Sequence, residues 1–204
     1  MNGISVSWGP PRPERADAAR NRAHLLATAR LMLDESGPDQ LTMDALAERS
    51  GLGKGTVFRR FGTRAGIFRA LLDEIERDLQ ERVLSGPPPL GPGAPPVDRL
   101  IAYGRARVRL LIENTEIARF ALDGRQPIPS SAQTPGSQMH IRMLLRQLNL
   151  DGADLDLLAT QLTAALDGPL LLYLSADTLT NAGPQIEQSL GSAWQFLVER
   201  VCRP

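Results

Sequence analysis

The stretch Ser50-Gly51-Leu52-Gly53-Lys54-Gly55-Thr56-Val57-Phe58-Arg59-Arg60-Phe61 sets a glycine turn directly before a short helix-forming run that carries basic side chains. From Arg49 to Arg69 the chain holds six basic residues and no acidic one, although Lys plus Arg and Asp plus Glu balance at 23 each over all 204 positions. A basic run on a helix is by itself only a solvated face. Placed after a glycine turn, it offers cations and small polar groups at positions that suit the phosphates and base edges of DNA.

Upstream, the apolar positions Leu25, Leu26, Ala29, Met32 and Leu33 repeat at helical spacing from Asp17 onward and stop at Ser36-Gly37-Pro38. Thr42 is placed to cap a second helix bearing Met43, Leu46 and Ala47, with Asp44 in its first turn facing the helix dipole. That helix ends at Gly51, a third starts near Lys54, and Thr63 can cap a fourth. The fourth helix carries the stripe Ile67, Phe68, Leu71, Leu72, Ile75, Leu79 and Val83, which must face a core. Met1 to Pro13, with three prolines, two glycines and no helical period, reads as a tail.

Downstream, Gly86-Pro87-Pro88-Pro89-Leu90-Gly91-Pro92-Gly93-Ala94-Pro95-Pro96 excludes helix and strand alike. Beyond it, helical stripes are expected over 98–114, 117–122, 138–148, 154–175 and 185–202, with no alternating strand pattern. Pro169, after Gly168, is expected to kink the penultimate helix. The expected divisions are a tail at 1–14, a helix-turn-helix domain at 15–62, a connecting helix at 63–84, a linker at 85–97 and a second domain at 98–204. The last helix sets Ile186, Leu190, Ala193, Trp194, Leu197, Val198 and Val201 on one face. With the leucine-rich helix before it, this is more apolar surface than a thin domain hides, so a second copy of the chain is the expected acceptor. Leu166, Leu170, Leu190, Trp194, Leu197 and Val201 are the expected dimerisation residues.

Composition narrows the classes. An apolar content of 42% in 204 residues supports a sizeable core and excludes disorder of the whole chain. Zero net charge excludes a wholly polybasic protein, so any nucleic-acid binding rests on a local patch. A single cysteine, Cys202, forms no internal disulfide, and no secretory signal or membrane-length apolar run appears. A cytoplasmic location is expected. Gly51-Leu52-Gly53-Lys54-Gly55-Thr56 superficially suggests a phosphate-binding loop, but Glu48 stands where its first glycine belongs and a helix, not a strand, precedes it.

Two short helices around a tight turn form the DNA-binding helix-turn-helix, whose second helix enters the major groove. Leu41-Thr42-Met43-Asp44-Ala45-Leu46-Ala47, Ser50 to Phe58, and Phe61-Gly62-Thr63-Arg64 resemble the TetR family of transcriptional regulators from Asp17 to about Leu72. The resemblance implies an all-α protein: an N-terminal three-helix DNA-binding domain plus a C-terminal helical ligand-binding and dimerisation domain. It further implies a ligand-responsive regulator, a repressor binding a palindromic double-stranded DNA operator as a homodimer, with a small-molecule effector. Carried over by residue, it assigns Thr42, Lys54 and Arg64 to phosphates, and Thr56 and Arg59 to the groove. Phe58 and Arg60 depart from the tyrosine, and the histidine or tyrosine, usual there. Phe58 then packs against a sugar or thymine methyl, and Arg60 restores a phosphate contact.

In the second half, Tyr103, Arg107, Met139, His140 and Met143 are the polar or soft side chains expected to line an effector pocket. No nucleophile and base constellation or metal-ligand cluster is legible, so neither an enzyme nor a cofactor or metal is expected. The alternative is a small all-helical enzyme or ligand carrier that keeps the helix-turn-helix only structurally.

Overall fold

The computed structural model describes residues 13–121, 135–173 and 178–202, with side-chain surroundings for 17–121, 136–168 and 185–202. Among the described residues every regular element is a helix. The chain divides into two compact units, Met1–Leu71 and Leu72–Pro204.

The first unit holds α1 (Pro13–Ser36), a 3-10 turn (Pro38–Gln40), α2 (Met43–Ser50), α3 (Lys54–Phe61) and the start of α4 (Arg64–Ser85). Helix α1 begins at Pro13, so the expected tail loses its last two residues, and Met1 to Arg12 lie outside the described residues. The caps follow from the sequence. The Thr42 Oγ1 accepts from the Ala45 amide at 3.1 Å and the Thr63 Oγ1 from the Gly66 amide at 3.1 Å. Gly51 (φ 68°) ends α2 and Gly62 (φ 71°) ends α3, left-handed conformations that a Cβ disfavours. Leu25, Leu26 and Ala29 of α1 join Leu46, Val57, Ile67, Phe68 and Leu71 in a buried core.

The second unit continues α4 and adds α5 (Pro96–Glu113), α6 (Thr115–Ala121), α7 (Pro135–Leu145), α8 (Leu155–Tyr173) and α9 (Thr178–Cys202). No helix occupies the residues between Ser85 and Pro96, where proline and glycine dominate. Helix α7 sits three residues upstream of the expected span. Helix α8 continues through Gly168-Pro169 to Tyr173, and α9 starts seven residues before the expected Gln185. Helices α5 and α9 pair closely because Gly104 presents no side chain to Trp194: a Cβ there would fall 2.0 Å from the indole Nε1. The indole instead donates to the Leu100 carbonyl at 2.9 Å. Around it, Leu100, Ile141, Leu144, Leu145, Ala159, Leu162 and Val198 close the second core.

Candidate nucleic-acid interface and buried polar cluster

Helix α3 is oriented by two side chains one turn apart. Val57 and Phe61 are buried, and the helical period then turns Gly55, Phe58, Arg59 and Arg60 outward and leaves Thr56 half-buried. Phe58 is 52% exposed, a large aromatic surface on an otherwise polar face. The turn before α3 is fixed from α1: His24 Nε2 pairs with the Ser50 carbonyl at 2.9 Å, and the Ser50 hydroxyl accepts from the Leu52 amide.

The basic segment is less one-sided in space than in sequence. Glu35 of α1 pairs with Arg49, and Asp44 of α2 pairs with Lys54 at 2.8 Å. Both pairs are solvent-exposed, so each contributes little to stability. The Arg59 Nε donates to the Gly55 carbonyl at 3.2 Å, and an Arg60 amino group to the Ala18 carbonyl at 2.9 Å. Both side chains remain exposed, like Thr42.

Arg64 also has partners within the chain. Its Nε donates to the Leu41 carbonyl at 2.8 Å and its Nη2 to the Pro38 carbonyl at 2.6 Å, while its guanidinium lies 5.4 Å from the Phe68 ring centre. These bonds fasten the turn before α2 to the start of α4. The expected phosphate contact thus stands beside a structural role, in which the fork binds two carbonyls at the end of the 3-10 turn.

In the second unit, α5 carries Arg99, Tyr103 and Arg107 at successive turns, all buried. Arg107 pairs with Glu76 of α4 and reaches Asp167 of α8 at 3.5 Å. Burial opposes its charge, but the adjacent Glu76 carboxylate more than offsets this and holds the guanidinium proton more tightly than usual. The Tyr103 hydroxyl donates to Ser137 Oγ at 2.5 Å, and its ring centre lies 4.9 Å from that of His140. Burial pushes the Tyr103 hydroxyl above its ordinary value, with Arg107 opposing. His140 is pushed down to about 4, by burial first and by the Arg99 charge second. The structure therefore brings Tyr103, Arg107 and His140 into one cluster. Met139 and Met143 do not join it. They are 58% and 40% exposed, since Ser137, His140, Ile141, Leu144 and Leu145 take the inward face of α7. Glu76, Asp167, Ser137 and Arg99 were missed in the sequence, where isolated polar residues on amphipathic helices read as solvated.

The pattern of the bacterial regulatory proteins of the tetR family matches residues 25–71, the segment that builds α2, α3 and their packing. An HTH-type transcriptional regulator of Staphylococcus aureus (strain USA300) is 32% identical over 65 residues, 32% of this chain and 34% of that protein. This N-terminal segment is therefore similar to the DNA-binding part of the tetR-family regulators. The chain spans about a third of the length of the curated relatives it matches.

The fold likeness reaches further than the sequence likeness. A TetR-family transcriptional regulator from Pectobacterium atrosepticum superposes with TM-score 0.72 at 23% identity, covering 93% of this chain and 98% of that one. A SmeT–triclosan complex superposes with TM-score 0.53 at 17% identity, over 89% and 90% of the two chains. NalD, the secondary repressor of the MexAB-OprM multidrug efflux pump in Pseudomonas aeruginosa, superposes with TM-score 0.52 at 17% identity, over 92% and 98% of the two chains.

The expected dimerisation residues divide in two. Trp194 and Leu166 are 4% exposed within the single chain, Trp194 against Gly104 and Leu100 of α5. Both therefore pack first within the single chain, and both also line the apolar groove described next. Leu190, Leu197 and Val201 are half-buried, and Leu170 lies outside the residues whose side chains are described. Leu190, Ala193, Trp194 and Leu197 line, with Val108, Ala165 and Leu166, an apolar groove of about 110 Å³. No helix of the described residues is long and apolar enough to cross a membrane, and none of them group into a metal site.

Proposed function

We propose that this chain is a ligand-responsive transcriptional regulator of the TetR type, a repressor that binds a palindromic operator as a homodimer. The carrying observation is α3 itself: anchored inward by Val57 and Phe61, it turns Phe58, Arg59 and Arg60 outward. Thr42 and Lys54 at adjoining helix starts supply phosphate contacts, and Thr56 and Arg59 read base edges. Phe58, which has no hydroxyl, packs on a sugar or thymine methyl. Residues 15–62 form the DNA-binding part, and the helices from 98 onward hold the effector and the partner copy. The SmeT complex with triclosan and the repressor NalD, which share the fold, favour an effector and the negative sign of regulation.

Dimerisation uses the groove edged by Leu190, Ala193 and Leu197. The effector site is the cluster of Tyr103, Arg107 and His140. The mechanism is a difference in effector affinity between operator-bound and free protein, and it is reciprocal. Selection of bound fragments from genomic DNA tests the reading. The expected product is an inverted repeat bound by two copies with a steep salt dependence; recovery of no common sequence would overturn sequence-specific regulation.

A further inference from the structure

Arg99 lacks a carboxylate partner among the described residues, which sets it apart from Arg107, although the Nε of Arg107 is also buried without a hydrogen-bond partner. Arg107 faces two carboxylates, Glu76 and Asp167. Arg99, only 9% exposed, has among the described residues a single hydrogen bond, from Nη2 to the Val83 carbonyl at 3.2 Å. Its Nε and the Nε2 of His140, itself 8% exposed, are buried without a partner. Buried charges in proteins are normally paired, and buried nitrogens normally bonded. The end of the cluster at Arg99 is therefore short of one negative charge and of acceptors for its donors. His140 lies close enough to sense the Arg99 charge. Tyr103, one turn beyond Arg99, lays its ring against His140, while Val83, Leu100, Ile141 and Leu144 make the surroundings apolar.

We propose that Arg99 and His140 form the head-group site for the effector, and that this effector is a small monocarboxylate with an apolar body. The assignment rests on the effector reading above and adds its chemical class. A planar carboxylate matches the guanidinium fork, and its single charge equals the missing one. A dianion such as a phosphate ester would bring a second charge with no cation to meet it. A cation would face Arg99, and a neutral ligand would leave the buried guanidinium unpaired. His140, as a neutral imidazole, donates from Nε2 to the second carboxylate oxygen. The charged groups around it are Arg99 on α5 and, through Arg107, Glu76 on α4 and Asp167 on α8. A bound anion beside Arg99 offsets the field that disfavours a proton on His140, so its titration moves to higher pH on binding.

The test uses the full chain, with benzoate and octanoate as probes and benzamide and octanamide as their neutral counterparts. Binding is followed by calorimetry and by the imidazole proton resonances, of which the chain has two, His24 and His140; a His24→Gln variant assigns them. The expected result is at least one acid bound tenfold or more tighter than its amide, with the His140 titration moved upward. Arg99→Gln should remove the preference for acid over amide, and Arg99→Lys should keep part of it. Equal affinity of acids and amides, no binding by either acid, or an unmoved His140 resonance overturns the proposal; the acid and amide comparison on the unaltered protein decides even where Arg99→Gln fails to fold. Operator release is measured separately. A carboxylate that binds at Arg99 without changing operator affinity leaves the site standing and removes the effector reading.

Discussion

Replacing Gly104 by alanine tests the α5 and α9 packing that organises the second unit, and Gly191→Ala on the facing helix is its matched control. In an ordinary helix interior, glycine to alanine favours folding by about 1 kcal/mol. At Gly104 the new Cβ would lie 2.0 Å from Nε1, 2.2 Å from Cε2 and 2.3 Å from Cδ1 of Trp194. No real contact is that short, so α5 and α9 must separate or the indole must turn. Overpacking of this kind costs about 1 to 3 kcal/mol. Turning the indole also breaks its bond to the Leu100 carbonyl, worth about 1 kcal/mol net, and leaves both buried groups unsatisfied for roughly 1 kcal/mol more.

Set against the helix gain, the net loss for Gly104→Ala with the indole turned is about 2 to 4 kcal/mol, roughly 5 to 15 °C in Tm for a chain of this size. At Gly191 the Cβ would meet the Arg105 Cγ at 3.4 Å, the stem of an exposed, flexible side chain. There the helix gain survives, and stability should rise by about 0.5 to 1 kcal/mol. Urea denaturation followed by circular dichroism measures both. A Gly104→Ala protein as stable as Gly191→Ala would refute the close approach of the two helices at Trp194.

Lys54→Ala should weaken binding to all sequences and lower the salt slope by about one, while Arg59→Ala should relax preference at one position per half-site by about 1 to 3 kcal/mol. Unchanged base preference in fragment selection would remove Arg59 from readout. Arg64→Ala should instead lower stability, by about 2 to 4 kcal/mol for two charge-assisted bonds, and leave the salt slope alone; a slope reduced by one restores its phosphate contact. Leu197→Glu, on the half-buried side of α9, should give folded monomers by sedimentation, and an intact dimer would place Leu197 outside the interface. His140, held near 4 when folded against about 6.5 when unfolded, binds its proton more readily in the unfolded chain. Stability should therefore be unaffected above pH 7 and fall by up to about 3 kcal/mol as pH drops from 6.5 through 4. His140→Gln should flatten that part of the pH profile, and an unchanged profile would show that other groups carry the acid loss.

The first unit was legible because its signals are local. A threonine cap, a left-handed glycine and a change of periodicity each act within one helical turn, and Thr42, Gly51 and Thr63 sit in the structure where those rules put them. What stayed hidden there is pairing across elements: Glu35 with Arg49, Asp44 with Lys54, and Arg64 with the Pro38 and Leu41 carbonyls. A run of cations in sequence shows its charge but not the anions that folding returns to its side.

The second unit shows the deeper reason why apolar stripes underdetermine assembly. The face of α9 that contains Trp194 and Val198 reads correctly as buried, yet periodicity does not say whether the covering surface belongs to the same chain or to another. Gly104 holds the missing information, because a residue without a side chain on α5 is what admits an indole from α9. The stripe then splits by angle around the helix. Trp194, Val198 and Cys202, four residues apart, are spent on the protomer's own core, while Leu190, Leu197 and Val201 keep surface on the flank. A charge at Trp194 should therefore unfold the second unit, whereas one at Leu197 should separate copies. The difference between those two outcomes distinguishes a folding face from an association face on a single helix.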